Sequence, residues 1–365
     1  MRDRTRRELL STSTRTFINV AGLTLLPGAL VTTSAASTAS PPSAGDRPIE
    51  TIRFAYQPGF AYGLYYVAQT KGWFKDAGVT LDPMDIFTNG PLEMDAVINS
   101  NLDAGVLGFV PILTRAAAGE PVRIIDVVDN SGRTYAVVGK ADINGIPGLK
   151  GRTVGVNRGS NYDYFLLQAL AKYGLSEREL EIINFADPAK AQSAFLAGQI
   201  DALVPITTNR NAILQHRPDS RIVFSATQFT EKPNPSRSPF AIYDLFATTE
   251  SALHKHRNGF IKLMTVFHTK VRDYVTSPGT QGAAVDDLYN WQKNVVKAEV
   301  TKAQILANIK LFDFYTKQEA QQIIAGGELT YFLEGISKYL VANKLLDKVP
   351  DLASIIDSGP AKAMG

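Results

Sequence analysis

The side chains that most often carry a reaction are either missing from this sequence or badly spaced. There is no cysteine, which removes disulfides, thiolate metal ligands, a cysteine nucleophile and a lipid-bearing cysteine together. The four histidines, His216, His254, His256 and His268, stand away from every ligand-facing loop identified below, so a histidine-activated nucleophile has no home. His254 and His256 are two positions apart, on different faces of a helix, and make a poor metal pair. Asp103 and Asp201 recur in matching contexts, which favours a repeated structural turn over paired acid and base. No phosphate-binding loop or dinucleotide fingerprint occurs in the main body.

What the sequence offers instead is recognition chemistry. Gly159, Ser160 and Asn161 precede a helix expected over 162–173, and a helix start presents unpaired N–H groups suited to an anion. Ser160 or Asn161 also serves simply as a cap, the commoner role of such residues. Thr207, Thr208 and Asn209 supply hydroxyl and amide groups, with Arg158 and Arg210 the nearest cations. Tyr56, Phe60, Tyr62, Phe109, Tyr162 and Tyr243 could hold a flat or apolar body, although aromatic rings bury readily in any core. Reversible capture fits this inventory, with no catalytic residue, cofactor or metal.

Residues 49–56 alternate apolar and polar types as a strand, 57–60 break it, and 61–71 resume with helical spacing. Helices over 92–99 and 111–118 and strands over 104–108 and 122–128 follow. Alternation of this kind implies an α/β architecture with buried, mostly parallel strands. The chain also repeats itself at an offset of about 100 residues: 96–107 parallels 194–205, with an Asp-Ala step in the same place, and the turn at 56–59 is matched at 156–159. Ligands of such sheets sit beyond the carboxyl ends of strands, so the loops 57–62, 108–111, 159–163 and 205–209 should face one cleft. A strand over 239–248 and an almost wholly helical stretch over 250–346 complete the pattern. Crossings at 134–139 and 240–248 would form a hinge.

At 365 residues the chain exceeds a single core, so two lobes are natural. Its formal excess of +3 lies in the first 40 residues, where Arg2, Arg4, Arg6, Arg7 and Arg15 outnumber Asp3 and Glu8. The balanced remainder has no basic stripe, which excludes nucleic acid as a partner. The arginine-rich start, an apolar run over 17–31 and small residues over 34–39 read as a cleaved export signal. Thr5-Arg6-Arg7-Glu8-Leu9-Leu10 resembles the twin-arginine consensus. Asn19 and Pro27 interrupt a run already shorter than the ~20 residues that span a bilayer.

Tyr56-Gln57, Tyr65, Val67-Ala68, Lys71-Gly72-Trp73-Phe74, Gly78-Val79, residues 149–156 (Leu-Lys-Gly-Arg-Thr-Val-Gly-Val) and 191–203 together resemble the substrate-binding proteins of sulfonate, taurine, nitrate and pyrimidine ABC importers, a group related to the thiamine-pyrimidine precursor synthases. The resemblance covers about residues 49–275. It implies a type II periplasmic-binding-protein fold, two lobes with doubly wound sheets joined by two crossing strands. It also implies ligand contacts at Gln57, Gly159, Ser160 and the loop after Val204.

The expected partition is a signal over 1–39, a flexible leader over 40–48, lobe one over 49–133 and 244–346, lobe two over 134–243 and a tail over 347–365. The expected contact set is Gln57, Phe60, Tyr62, Phe109, Gly159, Ser160, Asn161, Tyr162, Thr207, Thr208 and Tyr243. An extracytoplasmic monomer is expected, taking a small-molecule ligand such as a sulfonate to an ABC permease and its ATPase, and touching the membrane only through that permease. A heteroaromatic ligand is the alternative, an exported sensing module or a related synthase the alternative of another class. Gly108-Phe109-Val110 stands where sulfonate binders often carry Gly-Asp, and Pro205-Ile206-Thr207 replaces a Trp-Asp-Pro-like run. The family's desulfinases use a cysteine that this chain lacks.

Overall fold

The computed structural model describes residues 48–229 and 240–365. The expected export signal with its twin-arginine motif, and nearly all of the expected leader, lie outside the described residues. Among the described residues no helix is long and apolar enough to cross a membrane.

Among the described residues, eleven strands form two sheets that share no strand. In chain order they are β1 (Glu50–Tyr56), β2 (Val79–Ile86), β3 (Ala104–Gly108), β4 (Val122–Asn130), β5 (Ala136–Lys140), β6 (Thr153–Val156), β7 (Glu181–Asn184), β8 (Ala202–Leu203), β9 (Ser220–Ser225), β10 (Tyr243–Thr249) and β11 (Asp313–Phe314). Sheet one has the order β11-β4-β10-β3-β1-β2, and sheet two the order β7-β6-β8-β5-β9. Reading β2-β1-β3-β10-β4 beside β7-β6-β8-β5-β9 shows the duplication directly. Central strands β3 and β10 are buried along their whole length, as sheets covered on both faces require.

The sheets are mixed rather than mostly parallel. β1 runs parallel to β2 and β3, and β6 parallel to β7 and β8. β10 runs antiparallel to β3 and β4, and β5 antiparallel to β8 and β9. The reason is the route of the chain: β5 has just arrived from sheet one and β10 from sheet two, so each runs away from the crossing that its neighbours run towards. β11, a strand inside the stretch expected to be helical, pairs with β4 at the sheet edge.

Asp103 and Asp201 hold equivalent places. The Arg53 N–H donates to Asp103 Oδ2 at 2.9 Å while the Asp103 N–H donates back to the Arg53 carbonyl at 2.8 Å. The Thr153 N–H donates to Asp201 Oδ2 at 3.1 Å, and the Asp201 N–H returns to the Thr153 carbonyl at 2.9 Å. Each carboxylate thus pins the start of one central strand, β3 or β8, to its parallel neighbour, β1 or β6.

The two crossings touch. The Ser131 N–H donates to the Ile242 carbonyl at 2.8 Å, and Asn130 Oδ1 accepts from the N–H groups of Gly132 and Ile242 at 2.9 and 3.0 Å. A Cβ on Gly132 would lie 1.9 Å from the Phe240 carbonyl oxygen, so only glycine permits this approach.

The apolar core runs on through the hinge: Tyr164 and Phe165 of sheet two's first helix pack on Phe240, and Tyr164 meets Tyr339 edge-on at 5.7 Å. A smaller cluster around Phe195, Leu203 and Ile213 fills the other face of sheet two. Residues 347–365, expected as a tail, fold back on sheet one, where the Asp357 N–H donates to the Ile124 carbonyl at 2.9 Å.

Candidate ligand-binding cleft

The carboxyl ends of both sheets' parallel strands meet at a cavity of about 30 Å³. Gln57, Tyr62, Asn89, Gly90, Gly108 and Pro111 line it from sheet one's half, Asn157, Ser160, Asn161, Tyr162 and Pro188 from the other, and Tyr135 from the hinge. That volume holds about one water molecule. A solute of several heavy atoms therefore enters only when the halves separate.

Five helices start at this cavity: Gly63–Thr70, Gly90–Ile98, Phe109–Ala117, Asn161–Lys172 and Pro188–Leu196. Their capping or first residues Tyr62, Asn89, Gly108, Ser160 and Pro188 all line it. The local sequence explains three of these starts. Asn89 and Ser160 are extended and accept from the N–H groups of Leu92 and Tyr162, Pro91 and Pro188 sit where a missing N–H costs nothing, and Gly159 takes the left-handed turn (φ +69°) before Ser160. A helix N-terminus carries about half a positive charge. Among the described residues no Lys, Arg, Asp or Glu lines the cavity, so these dipoles set its potential.

Charged groups near the cavity are paired, or are buried carboxyls whose pKa burial raises. Arg158 binds Asp163 at 3.0 Å and Glu177 at 2.7 Å, and Arg210 donates to the Thr134 carbonyl at 2.9 Å. Beneath the floor, Tyr62 donates to Asp244 Oδ1 at 2.6 Å, and Asp244 faces Asp129 across β10 and β4. Burial, then mutual repulsion, pushes the Asp129 carboxyl well above the usual carboxylate range, and burial pushes Asp244 up as well. Burial does the same to Glu93, whose Oε2 accepts from the Gln57 amide at 3.0 Å. That bond orients Gln57.

The halves are clasped across the cavity. Asn161 Oδ1 accepts from the Val110 N–H at 3.0 Å, and the Asn89 amide donates to the Ala186 carbonyl at 2.6 Å. A Cβ on Gly108 would fall 1.9 Å from Asn161 Nδ2. Two polar atoms of the lining residues have no partner, the donor Asn161 Nδ2 and the acceptor Asn157 Oδ1. Tyr135 and Tyr162 stand 4.9 Å apart at one side.

Five of the expected contact residues come together here: Gln57, Tyr62, Ser160, Asn161 and Tyr162. Phe60, Phe109, Gly159 and Tyr243 are not among its lining residues. Phe60 packs on Phe312, Phe109 sits edge-on to Tyr164 and Phe332, and the Tyr243 hydroxyl donates to Glu328 at 2.9 Å. The Gly159 N–H holds Asp163 at 3.0 Å. Thr207 and Thr208 open the helix Thr207–His216, whose cap Ile206 lines a larger hollow outside the cavity. Sequence reasoning passed over Asn89, Gly90, Tyr135, Asn157 and Pro188. The signal was present, because Asn89-Gly90 and Asp187-Pro188 are helix starts about 100 residues apart, a further pair in the repeat. His268, buried between Asp126 and the Tyr315 carbonyl, lies away from the cavity.

Residues 60–281 match the family model described as NMT1/THI5 like. A Brucella abortus (strain 2308) protein named as a binding protein is 25% identical over 276 residues, 75% of this chain and 80% of its own. The taurine-binding periplasmic protein of Escherichia coli (strain K12) is 26% identical over 182 residues, 50% of this chain and 55% of its own. The alkanesulfonate-binding protein of Xanthomonas axonopodis pv. citri, solved with MOPS bound, superposes with a TM-score of 0.67 at 17% identity, covering 85% of this chain and 99% of that one. With its residues 60–281 matched by the family model, more than half of its length, this chain belongs to the NMT1/THI5-like family.

Proposed function

We propose that this protein is the extracytoplasmic solute-binding component of an ABC importer. It captures a small organic anion, such as a sulfonate, between its halves and presents it to a permease and its ATPase. It acts as a monomer, without cofactor and without chemical change to the ligand. The observation that carries the reading is the convergence of five helix N-termini on one interlobe cavity whose described lining is uncharged. Such an array favours negative charge without a salt bridge. Burial raises the carboxyl pKa of both Asp129 and Asp244 below the cavity, which weakens the opposing field.

A second reading, an uncharged heteroaromatic ligand, is favoured by a different observation. The orphaned donor of Asn161 and acceptor of Asn157 suit a planar edge carrying both an acceptor and a donor, and Tyr135 and Tyr162 suit its ring.

Melting curves with alkanesulfonates, taurine, nitrate, aromatic acids and pyrimidines test both. A ligand at 100 times its Kd adds about 2.7 kcal/mol. A rise with an anion is expected, a rise with neutral pyrimidines alone selects the second reading, and no rise with any compound refutes solute capture of either kind.

A further inference from the structure

Behind the cavity wall stands a carboxyl that no ion pair accounts for. Glu93 is fully buried in the first turn of the helix Gly90–Ile98. Its Oε1 is seated against Gly105 of β3, where a Cβ would come within 2.5 Å, so the sheet makes room for this carboxyl by carrying glycine there. Among the described residues no Lys, Arg or His forms an ion pair with it, and the Gln57 amide donates to its Oε2 at 3.0 Å. A place in the first helical turn favours its charge slightly, but burial without a cation opposes that charge by more.

The charged groups around it do not offset this. Asp244 of β10, the strand beside β3, is a second buried carboxyl and repels charge on Glu93. Arg53 of β1 is bound to Asp103, and Arg115 of the helix Phe109–Ala117 is bound to Asp95 at a partly exposed site. Burial, with a smaller push from Asp244, raises the Glu93 carboxyl well above the usual carboxylate range, by more than the Gln57 bond lowers it.

Gln57 lines the cavity. With an N–H given to Glu93, the end of its amide left for a guest is the carbonyl oxygen, an acceptor opposed to an anion. A protonated Glu93 can donate its hydroxyl to that carbonyl, and the amide, turned over, then presents its N–H groups to the guest.

We infer that Glu93 is a positioning residue whose proton decides which end of the Gln57 amide faces the guest, so that capture of an anion takes up a proton from solvent. The inference rests on the anion-capture reading and deepens it. The proton passes from water to the Glu93 carboxylate, no other covalent bond changes, and the incoming negative charge is balanced. With Glu93 ionised, an anion meets a carbonyl with a buried charge behind it. A guest that donates N–H groups is favoured by that state.

The test is titration calorimetry with ethanesulfonate and with nitrate, both ionised throughout, from about pH 5 to about pH 9 in paired buffers of different ionisation heat. Affinity should fall as pH rises, by up to about ten-fold per unit, and the binding heat should differ between buffers by that of the proton taken up. Glu93→Gln keeps the shape without the charge and can donate its own N–H to the Gln57 carbonyl. Its affinity should stay near the parent's acid value at every pH, with no buffer dependence. Asp129→Asn should keep the linkage, because it alters the neighbouring carboxyl pair and leaves Glu93 intact. Parent affinity that ignores pH, with either anion bound, overturns the inference and leaves anion capture standing. So does a linkage that survives in Glu93→Gln or vanishes in Asp129→Asn, since the proton then sits elsewhere. The parent profile and Asp129→Asn decide the matter even without a folded Glu93→Gln. Binding of neither anion at any pH overturns the anion reading and this inference with it.

Discussion

Replacing Asp103 by alanine should cost this protein more stability than replacing Asp201, although the two carboxylates do the same job in the two halves. Asp103 accepts from the Arg53 N–H at 2.9 Å, from its Nε at 3.1 Å and its Nη2 at 2.6 Å, and His256 Nε2 stands 3.6 Å away. Its side chain is 5% exposed, whereas that of Asp201 is 20% exposed and holds the Thr153 N–H at 3.1 Å and Lys140 at 2.5 Å. A hydrogen bond to a charged group contributes about 1.5–3 kcal/mol, and an unpaired buried N–H costs about 1–3. Exposed ion pairs contribute under about 1. Losses of about 3–4 kcal/mol for Asp103→Ala and about 1–2 for Asp201→Ala follow, or melting points lower by about 4–6 °C and about 2–3 °C for a body of this size.

The acid limb supplies an independent check. Desolvation alone would raise both carboxyls, but it is outweighed at Asp103 by the bonds from Arg53, and at Asp201 by Lys140 and the Thr153 N–H. Both are held below the usual carboxylate range. A folded value below the unfolded ~3.9 means stabilisation that is complete above about pH 5 and lost as pH falls through the folded value. The gap between parent and Asp103→Ala, read by circular dichroism during heating, should therefore narrow as pH falls below the unfolded ~3.9. Equal losses for the two variants, or a gap undiminished in acid, would refute the account of paired strand pins.

Gly108→Ala should block closure, because the new methyl would meet Asn161 Nδ2 at 1.9 Å. Overpacking costs about 1–3 kcal/mol, so titration should show affinity reduced about ten-fold or more, and small-angle scattering should show the liganded variant still extended. Asp129→Asn, which mimics the protonated carboxyl, should be more stable than the parent at neutral pH. Because burial raises the folded value of Asp129, the parent loses stability as pH rises from about 4 towards that value. Melting points from pH 4 to 9 should thus diverge with pH, and parallel curves would contradict a raised carboxyl. Gln57→Ala and Ser160→Ala should leave the protein folded but weaken ligand binding about five- to ten-fold, one lost hydrogen bond each. Unchanged affinity in both would remove them from the site.

Much of this architecture is legible in the linear chain because it rests on local rules. The caps Asn89 and Ser160 and the glycine at 159 are each specified by neighbours within a few residues, and the Asp-Ala step at Asp103 and Asp201 stands out by its recurrence. Repetition at one offset then implies two like halves. The strand directions were harder. Nothing local in 136–140 or 243–249 says that these strands run against their neighbours, since direction there is set by the crossing of the chain between sheets.

The aromatic residues mark the boundary between the two kinds of information. Their sequence places Phe60 and Tyr62, or Phe109 and Tyr162, equally well beside the strand ends where a ligand would sit. Only the tertiary structure separates them. Phe60 is claimed by Phe312 and Phe109 by Phe332, side chains more than 200 residues further along the chain, whereas Tyr62 and Tyr162 are left facing the cavity. A rotation of one or two positions at the start of a helix decides core against cleft, and what settles that rotation is the helical region that packs behind. The sequence by itself determined that two repeated halves present helix starts to each other; the distant packing decided which rings and amides look into the gap.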